Sequence, residues 1–130
     1  MTATTREPRE EALQVLYAAD QGGDEPVTVG ISKRARLLVS GVRAELGGLD
    51  EAIGAVSERW RVARMPAVDR NVMRIALYEL LHRPHTPTAV ILAEAVRIAK
   101  EYSTERSGAF VNGVLARLAH RVRGGAAGSG

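Results

Sequence analysis

The stretch "PAVDRNVMRIALYELLHR", residues 66–83, decides the fold. Its apolar residues Val68, Val72, Met73, Ile75, Ala76, Leu77, Leu80 and Leu81 occupy more than one face of a helix. A surface helix needs only one apolar stripe, so a helix apolar over so much of its circumference has to be surrounded by others. Pro66 fits its opening and Pro84 closes it, because proline is tolerated in a first turn and breaks a helix interior. The remainder of the chain must then supply the helices that cover this one.

It does so on both sides. Residues 9–20 place Ala12, Leu13, Val15, Leu16 and Ala19 on one broad face, and Pro8 sets the start of that first helix near residue 8. Three glycines and a proline make residues 21–30 a loop. Ser32 is placed to cap a second helix in which Ala35, Leu38, Val42 and Leu46 repeat until Gly47-Gly48 ends it. A third helix, from about 49 to 60, would bury Leu49, Ile53, Val56 and Trp60. Beyond the central helix, Thr86 is predicted as N-cap and Pro87 as first helical residue, with Ile91, Ala95, Ile98 and Tyr102 as the buried stripe. The last helix is expected over about 105–122, with Val111, Val114, Leu115, Leu118 and Val122 inward. No stretch alternates with period two for long enough to argue for a strand. The reading is all-α, about six helices, with a flexible segment at 1–7, one helical domain over 8–122 and a disordered tail at 123–130.

A chain of 130 residues holds one core, and 45% hydrophobic with 25% charged residues is the balance of a globular domain. Without cysteine there is no disulfide framework, thiolate metal site or thiol nucleophile. His82, His85 and His120 are the remaining nitrogen ligands, and no metal site is expected from them. Charge interrupts the apolar runs every few residues, which argues against a membrane span or a signal peptide and for a cytoplasmic protein. No catalytic arrangement or phosphate-binding loop can be read, so a binding module is expected rather than an enzyme, with no cofactor.

Charge hints at what is bound. The net value is +3, but residues 1–50 hold six basic and eight acidic side chains whereas 51–130 hold twelve and seven. Sixteen of the eighteen basic residues are arginine, whose planar fork suits phosphates and bases, although an Arg- and Ala-rich proteome accounts for most of that bias. In the last helix, at about 100° per residue, Arg106, Phe110, Arg117 and Arg121 fall in one narrow arc. An aromatic ring flanked by guanidiniums suits single-stranded RNA. Periodicity alone favours a core phenylalanine beside a solvated arginine face. Tyr17, with Arg9 and Arg6 on its side of the first helix, is a second basic and aromatic pairing, or a tyrosine whose hydroxyl reaches water. Asp69 sits in the first turn of the central helix, where a carboxylate suits the dipole. Glu79 lies among apolar neighbours and needs a partner, for which Arg74, His82 and Arg83 are candidates.

One local conflict remains in "FVNGVL", residues 110–115, where Asn112 and Gly113 interrupt a helix at a cost of about 1 kcal/mol for the glycine. The expectation is that Gly113 admits the close approach of another helix and that Asn112 satisfies a backbone group there.

Taken together, "PAVDRNVMRIALYELLH", "TPTAVILAEAVRIAKEYST" and "FVNGVLARLA" resemble the bacterial transcription antitermination factors of the NusB family, over roughly residues 9–122. The resemblance implies two three-helix bundles and no enzymatic activity. It implies binding of boxA RNA together with NusE, a small ribosomal protein, in the RNA polymerase antitermination complex that reads through ribosomal RNA operons. On the matching positions it implies an RNA surface at Arg6, Arg9, Tyr17, Lys100, Arg106 and Phe110, to which the helical arc adds Arg117, and a NusE-facing acidic position at Asp69. The N-terminus departs from the family's arginine cluster: "MTATTREPREEALQ" keeps only Arg6 and Arg9 and adds Glu7, Glu10 and Glu11. Fewer cations should mean weaker phosphate binding, for which Arg106 is placed to compensate. The alternative is a protein-interaction scaffold or homodimer of the same fold with reduced RNA affinity. The related domain that precedes some RNA cytosine methyltransferases is set aside, since no methyltransferase domain follows residue 130.

Overall fold

A computed structural model describes residues 7–22, 27–58 and 60–129, with side chains through residue 124. The helices are α1 (Pro8–Gly22), α2 (Lys33–Ala44), α3 (Leu46–Val56), α4 (Ala67–His82), α5 (Thr88–Tyr102) and α6 (Glu105–Ser129), with a short 3-10 turn at Val62–Arg64 between α3 and α4. No strand occurs among the described residues. As the opening stretch requires, α4 packs against each of the other five helices, and Asn71 to Leu77 are buried without interruption. Helices α1 and α2 pack on each other and on α4; α5 and α6 likewise pack on each other and on α4, and α3 reaches α6.

Local chemistry sets the boundaries, in three places differently from the expectation. Ser32 caps α2 as expected, its Oγ accepting from the Ala35 N–H at 3.1 Å. The Gly47-Gly48 pair, however, does not end that helix. Glu45 (φ −114°, ψ 19°) breaks the chain, and the glycines lie in the first turn of α3, where open space surrounds them. The N-cap of α5 is Pro87 rather than Thr86, whose N–H is used in a turn to the Arg83 carbonyl. Because α3 stops at Val56, Trp60 leaves the helical stripe and is 45% exposed instead of buried. Leu81 and Tyr102, at the ends of α4 and α5, are likewise exposed.

The regular course of α6 is interrupted at Gly124, whose φ of +80° and ψ of 156° form a non-helical conformation that is essentially restricted to glycine. Arg123, at the first position of the expected tail, is anchored. Its guanidinium donates to the carbonyls of Glu79, Leu80, Arg83 and Thr86 and to Thr88 Oγ1. It thereby adds a second donor to carbonyls at the end of α4 that already accept a backbone N–H, those of Glu79 and Arg83, supplies one to Leu80, and ties them to the start of α5.

Two ionic clusters, one partly exposed and one buried at its carboxylate, lock the helices together. Asp20 at the end of α1 accepts from Arg70 Nε (2.9 Å) and Asn71 Nδ2 (3.0 Å), while Arg74 forms a two-pronged pair with Asp50, both contacts 2.7 Å. Burial alone would raise the Asp20 carboxyl, but the hydrogen bonds from Arg70 and Asn71 and the charges of Arg70 and Arg74 outweigh it and hold the carboxyl below its ordinary value. Glu79 does have its partner, though none of those anticipated: Arg9 Nε donates to Glu79 Oε1 at 2.8 Å. The pairing spans seventy positions, so no spacing within α4 could reveal it.

The close helix approach expected at Gly113 is absent. A side chain there would meet open space, and both Asn112 and Gly113 are exposed. The glycine that packing demands is Gly41, where an added Cβ would collide with the Tyr78 ring and separate α2 from α4.

Candidate nucleic-acid interface

The N-terminal half of α6 and the connection from α3 to α4 enclose a groove. Its walls include Ser57, Glu58, Trp60, Pro66, Asp69, Arg106, Phe110, Gly113 and Arg117. Three of the residues anticipated from periodicity, Arg106, Phe110 and Arg117, are thus brought together. Both alternatives for Phe110 hold in part: it is half-buried against the core and still lines the groove. Arg117 donates from Nη1 to the Val56 carbonyl at 3.1 Å, which caps the end of α3 and fixes the guanidinium while leaving its other N–H groups uncommitted to that bond. Arg106 and Arg121 are exposed, and Arg121 lies outside the groove lining. The open space above Gly113 belongs to this groove. An exposed glycine that no packing requires is thereby accounted for as room on a surface.

The other anticipated residues lie elsewhere. Lys100 is exposed near the end of α5 and lines a neighbouring depression between α5 and α6, with Gly108 and Asn112. Its aliphatic stem crosses Gly108, where an added Cβ would come within 2.8 Å of Lys100 Cγ and Cε. Tyr17 is 41% exposed on α1, a helix that packs on α2 and α4. Arg9, anticipated as a phosphate ligand, has only 17% of its side chain exposed and is held by Glu79. Arg6 lies outside the described residues.

Asp69 departs most from expectation. It is 2% exposed, and its Oδ2 accepts from Ser107 Oγ at 2.9 Å, so it fastens α4 to α6 and presents no exposed carboxylate to a partner. Its Oδ1 is buried without a hydrogen-bond partner. Burial pushes the carboxyl above its ordinary value, and the Ser107 and Ser103 hydroxyls only partly oppose this. A carboxyl raised in the folded state binds its proton more tightly there than in the unfolded chain. The associated stability is full below the ordinary carboxyl value and is lost as pH rises through the raised one. Asp69→Asn is therefore expected to match or exceed wild-type stability at pH 7 and to lose that advantage near pH 4. Urea unfolding at the two pH values checks it, and a variant destabilised equally at both would contradict the assignment.

Trp60 is the groove residue that the periodicity missed, because the helical stripe was extended one turn too far. The polar run "SER" at 57–59 before it was the available signal that the helix had ended.

A family model described as the NusB family matches residues 6–120. The transcription antitermination protein NusB of Sorangium cellulosum is 47% identical over 126 residues, covering 88% of this chain and 90% of that protein. Its counterpart in Anaeromyxobacter dehalogenans is 43% identical over 132 residues, covering 92% of each. Among solved structures, T. maritima NusB superposes with a TM-score of 0.79 at 35% identity, covering 86% of this chain and 87% of that one. A structure of antitermination factors NusB and NusE in complex with dsRNA superposes with a TM-score of 0.77, covering 93% and 99%, and at 24% identity it attests the fold. No helix among the described residues is long and apolar enough to cross a membrane.

Proposed function

We infer the function of this chain from one premise: it belongs to the NusB family. It is a transcription antitermination protein and not an enzyme. It binds boxA-type single-stranded RNA together with a NusE partner, and through that pair it joins the RNA polymerase antitermination complex in the cytoplasm.

The observation that carries the RNA reading onto this chain is the groove beside α6, where Arg106 and Arg117 flank the half-buried ring of Phe110. A base stacks on an aromatic face whatever its identity, and guanidiniums neutralise the phosphates on either side. Arg9 enters this account as a structural residue, since its Nε is bonded to Glu79 and only 17% of its side chain is exposed. Lys100, exposed in the last turn of α5 with its stem across Gly108 of α6, extends the basic surface.

Titration of a labelled boxA RNA with the wild-type chain, with and without NusE at two salt concentrations, tests the function. The expected result is binding that tightens with NusE and weakens steeply as salt rises, because each neutralised phosphate releases counterions. Absence of binding even with NusE would favour the second reading, a scaffold or homodimer of the same fold. The commitment of Arg9 to Glu79 is the observation on that side, since it thins an already sparse N-terminal arginine set.

A further inference from the structure

We propose that Trp60 is a second stacking platform for single-stranded RNA, facing the groove opposite the Phe110 side and admitting one base between the α3–α4 connection and α6. The proposal rests on the RNA-binding reading above and adds to it a residue on a different element.

Four observations support it. Trp60 is the chain's single tryptophan and is 45% exposed in a molecule whose other large apolar side chains are mostly in the core. An exposed indole costs hydration free energy, and the backbone that carries it is tied to the end of α3, where Ser57 Oγ donates to the Trp60 carbonyl at 3.0 Å. The groove lined by Trp60 and Phe110 is left open at Gly113, where an added Cβ would meet no atom from beyond its own stretch of helix within 4 Å. The charges sort a nucleotide's parts. Arg117 and Arg106 stand on the α6 wall, and Arg61 and Arg64 are exposed on the connection that carries Trp60, whereas the floor holds the buried Asp69 carboxylate with its unpartnered Oδ1. A phosphate is repelled from such a floor and attracted to the rim, while a base, neutral and bearing N–H groups, is accepted. Glu58, also on the rim, limits the number of phosphates held there. The alternation of aromatic and basic residues in "RWRVAR", 59–64, is the sequence counterpart of this arrangement.

The single tryptophan makes the test direct. The probe is an unlabelled boxA-type RNA oligonucleotide, added to the full chain alone and with NusE, with tryptophan emission read against the Trp60→Phe chain under the same conditions. Stacking is expected to quench the Trp60 emission as RNA saturates. In parallel, Trp60→Ala should weaken RNA binding by about tenfold, the order found for removal of one stacking ring, while Trp60→Phe retains most of the affinity. Circular dichroism and thermal melting show whether each variant is folded, which an exposed position allows. Wild-type binding with unquenched emission and an unaffected Trp60→Ala would overturn the proposal and leave the RNA-binding reading standing. Emission that responds to NusE alone and not to RNA would assign the groove to the protein partner and overturn it as well. Failure of the wild-type chain to bind RNA under any of these conditions would remove both.

Discussion

Arg9→Ala is expected to destabilise the protein by about 3 kcal/mol, the lower end of the range for removing one member of a buried ion pair. The reason lies in the partner. Glu79 is 1% exposed on α4, facing a pocket otherwise lined by Leu13, Val72, Ile75, Ala76, Ile91, Ala95 and Ile98, and Arg9 is its hydrogen-bonded cation. Deleting the guanidinium leaves a carboxylate with neither water nor charge to balance it. The effect should depend on Glu79 being there to orphan. In Arg9→Ala/Glu79→Leu the pocket becomes apolar throughout, and most of the loss should be recovered, as when a buried pair is replaced by hydrophobic residues of similar size. Urea unfolding of the wild type, both single variants and the double variant measures the coupling. Additive effects would show that the pair is not the reason Arg9 matters to the fold.

The second large effect concerns binding. Arg106→Ala/Phe110→Ala is expected to lower affinity for boxA RNA in the presence of NusE by one to two orders of magnitude, about what the loss of one stacking ring together with one phosphate contact implies. The slope of log affinity against log salt should fall by about one, since one counterion-releasing contact has been removed. Phe110 also touches the core, so the comparison is made only after thermal melting shows the variant folded at the assay temperature. A variant that keeps its affinity and its salt slope would remove α6 from the RNA site.

How much of this was legible in the sequence depends on the range of the interaction. The position of α4 at the centre followed from residues 66–83 alone, because an all-round apolar helix has one physical solution, and the apolar stripes of α1, α2 and α6 were visible for the same reason. The ends of elements were less legible. Gly47-Gly48 looked like a stop and is the start of α3, since a first turn tolerates residues that a helix interior does not, and the misplaced end of α3 carried Trp60 from the surface into an imagined core. Long-range polar pairs were invisible. Nothing in the spacing of "ALYELLH" tells that Glu79 answers to Arg9, or that Arg123 will close the end of α4, because each of these bonds joins residues 40 or more positions apart. Gly113 shows the same limit from the other side. Its cost to the helix was visible, but whether it makes room for a neighbouring helix or for a ligand depends on what lies across from it, and there the chain leaves space.

The site divides along the same line. Arg106, Phe110 and Arg117 share an arc of one helix, so periodicity could group them, and the groove that joins them to the α3–α4 connection became apparent only in three dimensions. Arg9 and Tyr17 were grouped by the same helical arithmetic on α1, and neither lines that groove: Arg9 donates from Nε to Glu79, and Tyr17 stands exposed on a helix that packs on α2 and α4.

The central claim is that RNA is held by the α6 face while Arg9 serves the fold. It is tested most directly by titrating one boxA RNA, with NusE present, into two folded double variants side by side: Arg106→Ala/Phe110→Ala and Arg9→Ala/Glu79→Leu. The account predicts that the first loses at least about tenfold in affinity and the second binds as the wild type does. Loss of binding in the second with the first unaffected would place the RNA on the N-terminal arginines and contradict it.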